Sequence, residues 1–86
     1  MDTPNMDRVA AAYPDETFLQ ADGLDGAIIG VDEASMRLVY SKEKAIEIMA
    51  KAFDGDYEEA IEYLEFNTFG AYVGEQTPIW ITEVPE

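Results

Sequence analysis

The chain has 86 residues, one small domain's worth, and its 48% hydrophobic content is too high for a disordered chain. Its 19 acidic residues against 5 basic ones give a net charge of −14, where solubility alone asks a magnitude of only about 2–8 of a small domain. Cysteine and histidine are both absent, which excludes disulfides, thiolate zinc sites and the Ser-His or Cys-His pairs of nucleophilic catalysis.

Residues 1–14 read as an N-terminal arm or short helix. Thr3 is placed to cap it, Pro4 suits the first helical position, and Met6, Val9, Ala10 and Tyr13 form one apolar stripe. Pro14 ends it, and a frayed terminus is the competing expectation. Two Asp-Gly pairs follow, at Asp22-Gly23 and Asp25-Gly26, and both mark turns. Phe18 and Leu19 are expected to plug the core. Ala27 to Val31 is an apolar run and predicts a buried strand. Met36 to Tyr40 predicts a second strand, with Met36, Leu38 and Tyr40 on one face, and the short connection predicts an antiparallel hairpin.

Ser41 is an expected N-cap for a helix over Lys42 to Phe53, with Ala45, Ile46, Met49, Ala52 and Phe53 facing the core. Asp54-Gly55 stops it. Asp56 then starts a second helix, with Glu59 three residues on as in a capping box. Tyr57, Ala60, Ile61 and Leu64 are its expected buried face, with Glu58, Glu62 and Glu65 opposite. Beyond Phe66 two readings compete: Gly70 closes the helix in a left-handed conformation, or the helix runs on through Tyr72. Pro78 to Val84 predicts an edge strand that Pro78 opens, with Pro85 and Glu86 fraying. The order is ββααβ. It implies one α+β domain over 15–86, with two helices on one face of a small, mainly antiparallel three-stranded sheet.

No base follows Lys51, while acids continue to the last residue. Glu58, Glu62 and Glu65 stand at i, i+4 and i+7 without a lysine or arginine among them, an arrangement that costs about 0.2–0.5 kcal/mol per like-charged pair. A solvated helix face is the plain account of such a row. The functional account is that Asp54, Asp56, Glu58, Glu59, Glu62 and Glu65, with Tyr63 as an aromatic anchor, stand in for phosphates on a basic partner. Direct nucleic-acid binding is disfavoured, because phosphate affinity comes from lysine and arginine. Asp54, Asp56, Glu58 and Glu65 fall at calcium-loop positions, but Glu59 stands where that loop needs glycine. Asp22, Asp25, Asp32 and Glu33 are a second candidate place for a divalent ion, though turn chemistry accounts for the first two. The expectation is no catalytic residue, no metal and no cofactor.

The segments ADGLDGAIIGVDE, RLVYS, DYEEAIEYLEFN and GAYVGEQTPIWI together resemble a group of small phage and prophage proteins, over residues 21–82. The resemblance implies expression in the cytoplasm of an infected or lysogenic bacterium and supplies no catalytic residue. Many small acidic phage proteins inhibit host defence. The expected function is therefore a phage-encoded acidic inhibitor of a basic, nucleic-acid-binding host protein, of anti-CRISPR or anti-restriction type, acting by nucleic-acid mimicry. The alternative is a small phage structural or adaptor protein, in the form of a homodimer paired through a strand edge, whose acids serve solubility. No membrane partner is expected, since no apolar run approaches the roughly 20 residues of a span and anionic lipid repels an acidic surface.

Overall fold

The computed structural model describes residues 5–84. Its elements are α1 (Asn5–Ala12), a single 3-10 turn (Asp25–Ala27), β1 (Ile28–Asp32), β2 (Arg37–Ser41), α2 (Lys42–Ala52), α3 (Tyr57–Leu64), a π-helical turn (Glu65–Phe69) that continues α3, and β3 (Ile79–Ile81). The α+β class and the ββααβ order are those expected.

β1 and β2 pair antiparallel, with Val31 opposite Leu38 and Asp32 opposite Arg37. Register slips between Ile28 and Gly30, which leaves Ile29 out of the ladder and partly exposed. β3 lies on the far side of β2 and runs parallel to it, with Val39 opposite Ile79 and Ser41 opposite Ile81. The sheet is therefore mixed. Parallel neighbours need a long crossover, and α2 with α3 supplies it. β3 is also shorter than the expected run, three residues rather than seven.

α1 forms, and its cap comes from far away in sequence. The Asn5 and Met6 amides donate to the two carboxylate oxygens of Asp25, at 2.8 and 2.9 Å. The Asn5 side-chain amide donates to the Asp25 and Ile28 carbonyls, both at 3.0 Å. Thr3 and Pro4, expected to start this helix, lie outside the described residues, as do Pro85 and Glu86. The second Asp-Gly pair is thus more than a turn. Asp25 fastens α1, and a Cβ at Gly26 would sit 3.3 Å from Ile48 Cδ1, so glycine lets this turn approach α2 closely.

One core cluster joins Val9 of α1, Phe18, Leu24, Ala27, Ile28, Leu38, Tyr40, Ala45 and Leu64. Leu38 and Tyr40 share the inward face of β2 and are fully buried. The Tyr40 hydroxyl accepts the Ala21 amide at 2.9 Å, so the buried phenol is not left without a partner. Trp80 packs against Tyr40 at 4.7 Å between ring centroids and against Phe69 at 5.0 Å, a core role for the indole. Leu19 is a correction. Phe18 enters the core as expected, but Leu19 is partly exposed.

Both helix starts are as the sequence predicts. Ser41 Oγ accepts the Lys44 amide at 3.2 Å, and Asp56 Oδ1 accepts the Glu59 amide at 3.0 Å. The reciprocal arm of the capping box at Asp56 is replaced: the Asp56 amide donates to the Phe53 carbonyl at 3.0 Å. That contact is part of a tight exit from α2, in which the Gly55 amide donates to the Ala50 carbonyl at 2.7 Å. Asp54 takes the left-handed position with φ 55°, and Gly55 follows with φ 87°. One expected inward residue points elsewhere: Ala52 is exposed, and Ala50, not among those expected, is the buried alanine near the end of α2.

Candidate functional site

α3 is capped at Asp56 and held from below by Ala60 and Leu64, both fully buried. That fixes its rotation. Glu58, Glu62 and Glu65 then lie on the opposite side, one above another, and all three are exposed. Glu59 is exposed a quarter-turn away, beside Tyr63 at i+4. Asp54 and Asp56 are exposed in the connection that leads into the helix. The six carboxylates thus occupy one helix and its entry, and Tyr63 borders them.

Tyr63 has a second commitment. Its ring meets Phe53 edge-on at 5.6 Å, which ties the end of α2 to the middle of α3. Tyr57 corrects the expected buried face, since it is more than half exposed in the first turn, where the helix has not yet reached its neighbour.

The electrostatics favour the N-terminal acids only. Glu58 and Glu59 face the positive end of the helix dipole, while Glu62 and Glu65 sit toward its negative end. Two of the five bases contact the protein's own uncharged groups. Arg37 Nε donates to the Thr77 carbonyl at 2.6 Å, and Lys42 Nζ lies 5.3 Å from the centre of the Phe69 ring.

The segment after α3 holds what the sequence reading missed. The backbone widens into a π turn over Glu65–Phe69. Gly70 ends it at φ −97°, so the left-handed closure expected there is absent, and so is the continuation through Tyr72. Residues three apart share a face on an α-helix, and the wider turn relaxes that coupling. Phe69 reaches inward to Trp80, while Phe66 is left 93% exposed, four residues beyond Glu62 on the acidic side. The signal was present in the sequence: i+4 from Glu62 and i+7 from Glu59 put residue 66 on the polar face. Asn67, between the two phenylalanines, donates its side-chain amide to the Tyr63 carbonyl at 3.0 Å and thereby secures the turn.

Beside this helix runs a groove of about 360 Å³ whose walls include Leu19, Met49, Tyr63, Val73 and Trp80. Tyr63 is the residue shared between groove and acidic face.

The carboxylates of the first loops do not converge. Asp25 is occupied by α1. Asp32 closes its own turn, where Oδ2 accepts the Ser35 hydroxyl at 2.7 Å and Oδ1 the Ala34 amide at 3.2 Å. The Tyr13 pKa is raised above its ordinary value, first by hydrogen bonding toward the Glu33 carboxylate, then by burial and by that carboxylate's charge. Among the described residues no group of three or more carboxylates is arranged to hold a metal ion, so Asp22, Asp25, Asp32 and Glu33 do not form the ion site considered for them. Nor is any helix there long and apolar enough to cross a membrane.

No family model matches this chain, and no curated protein or solved structure is significantly similar to it.

Proposed function

We infer that this protein binds a basic, nucleic-acid-handling protein and occupies its phosphate-binding surface with carboxylates. In the setting that the phage resemblance implies, the partner is a host defence protein, such as a CRISPR effector or a restriction enzyme, and the outcome is inhibition. The observation that carries the reading is the exposed row on α3. Glu58, Glu62 and Glu65 share one side of a well-anchored helix, Glu59, Asp54 and Asp56 adjoin them, and no base follows Lys51. Like charges so placed lower helix stability, which a purely structural surface has no reason to retain. Opposite potentials would make association fast and salt-sensitive.

The test is displacement. Purified protein is titrated into complexes of labelled target DNA with CRISPR effectors and restriction enzymes of the bacterial host. Release of DNA from one of them is expected, and its loss when Glu58, Glu62 and Glu65 are changed together to Lys. If every complex retains its DNA, and capture from host lysate recovers no nucleic-acid-binding protein, the reading is wrong. The adaptor alternative predicts little effect of the triple change. Pairing of two copies through the β3 edge would bring together two chains of net charge −14.

A further inference from the structure

Phosphate mimicry alone explains carboxylates. It does not explain a phenylalanine 93% exposed on the same side of the same helix. A solitary exposed apolar residue is ordinary. This one stands four residues from Glu62 and seven from Glu59, next to Glu65, so the helical phase itself sets it on the acidic side, while Phe69 at the end of the π turn packs inward on Trp80. Tyr63, the aromatic neighbour at i−3, is turned edge-on to Phe53 and is 44% exposed, so Phe66 is the more exposed of the two rings beside the acidic row.

We propose that Phe66 stands in for an unstacked base, so that the surface imitates a single strand and the partner is a single-strand-binding groove carrying both cations and a stacking side chain. The proposal rests on the mimicry reading and narrows it. In a duplex the bases are stacked inside, and a mimic of its backbone needs no projecting ring. Single-strand sites combine a cationic track with aromatic platforms on which exposed bases lie. Charge density agrees. Glu58, Glu62 and Glu65 place three carboxylates along about 10 Å of helix axis. A duplex carries one charge per about 1.7 Å and each of its strands one per about 3.4 Å, so the row is nearer to one strand than to two. Other occupants fit poorly. A second copy brings the same negative face, and an anionic lipid surface repels it.

The probes are two short peptides, one alternating lysine with tryptophan and one alternating lysine with alanine, with binding followed by titration calorimetry. The tryptophan peptide should bind the wild-type protein about tenfold more tightly than the alanine peptide. Phe66→Ala should abolish that preference without changing affinity for the alanine peptide. Phe66→Tyr, which keeps a stacking ring, should retain it. Phe66 is in solvent, so these variants are expected to keep the fold. Equal affinity for both peptides, or a preference that survives Phe66→Ala, overturns the proposal and leaves the mimicry reading standing. If instead the alanine peptide binds the Glu58→Gln, Glu62→Gln, Glu65→Gln variant as well as it binds wild type, the mimicry reading itself fails.

Discussion

The hydroxyl of Tyr40 meets the Ala21 amide inside the core, and its ring supports Trp80, so two separate segments depend on this residue. Tyr40→Phe keeps the ring and strands the amide; the expected loss is about 1–3 kcal/mol, read from the urea midpoint by circular dichroism. Burial, then the charges of Asp25 and Asp22, raise the Tyr40 pKa above 10.0, against the opposing pull of the Ala21 amide. A phenol whose pKa is raised by folding contributes stability fully below pH 10 and loses it as pH climbs through the native value. Stability measured by urea titration should fall across that alkaline window, and less steeply in Tyr40→Phe. Asp25 is the other residue with distant reach. Asp25→Ala leaves two α1 amides uncapped and should cost about 0.5–2 kcal/mol. Hydrogen exchange should show protection lost over α1 well before the rest of the chain.

Among the elements, α3 is where the proposed binding would conflict with folding. Neutralising Glu62 and Glu65 with glutamine removes like-charge contacts near the negative end of the helix. It should raise stability by about 0.2–0.5 kcal/mol per pair while weakening a basic partner. If melting instead showed these glutamates to be stabilising, the row would be structural. α3 also shows which features a sequence discloses. The caps at Ser41 and Asp56 were legible, because a cap is a bond to an amide three residues away. The acidic row was legible from helical periodicity. The π turn was not, since it goes with a contact made across the fold, Phe69 against Trp80. The parallel placement of β3 was equally hidden: a run such as Pro78 to Val84 states that a strand exists and not which neighbour it takes.

Across the whole molecule the charge excess acts on everything at once. The structure measures 39 × 33 × 28 Å, and the screening length is about 30 Å at 0.01 M salt and about 3 Å at 1 M. At low salt most of the 19 acids therefore repel one another, and raising ionic strength should lift the melting temperature by several degrees. Binding to the proposed basic partner should weaken over the same range, so the two curves run in opposite directions. The fold class and element order could be read from pattern. The long-range ties, Asp25 to α1 and Tyr40 to Ala21, could not, because they join positions about twenty residues apart that no local rule connects. The placement of Trp80 has a practical corollary. It is the sole indole in the chain, and it rests between Tyr40 and Phe69 on β3, the last strand in the sequence, along one wall of the groove. Its intrinsic fluorescence is therefore a built-in optical gauge, needing no label, of whether the final strand has docked and whether the neighbouring cleft is filled.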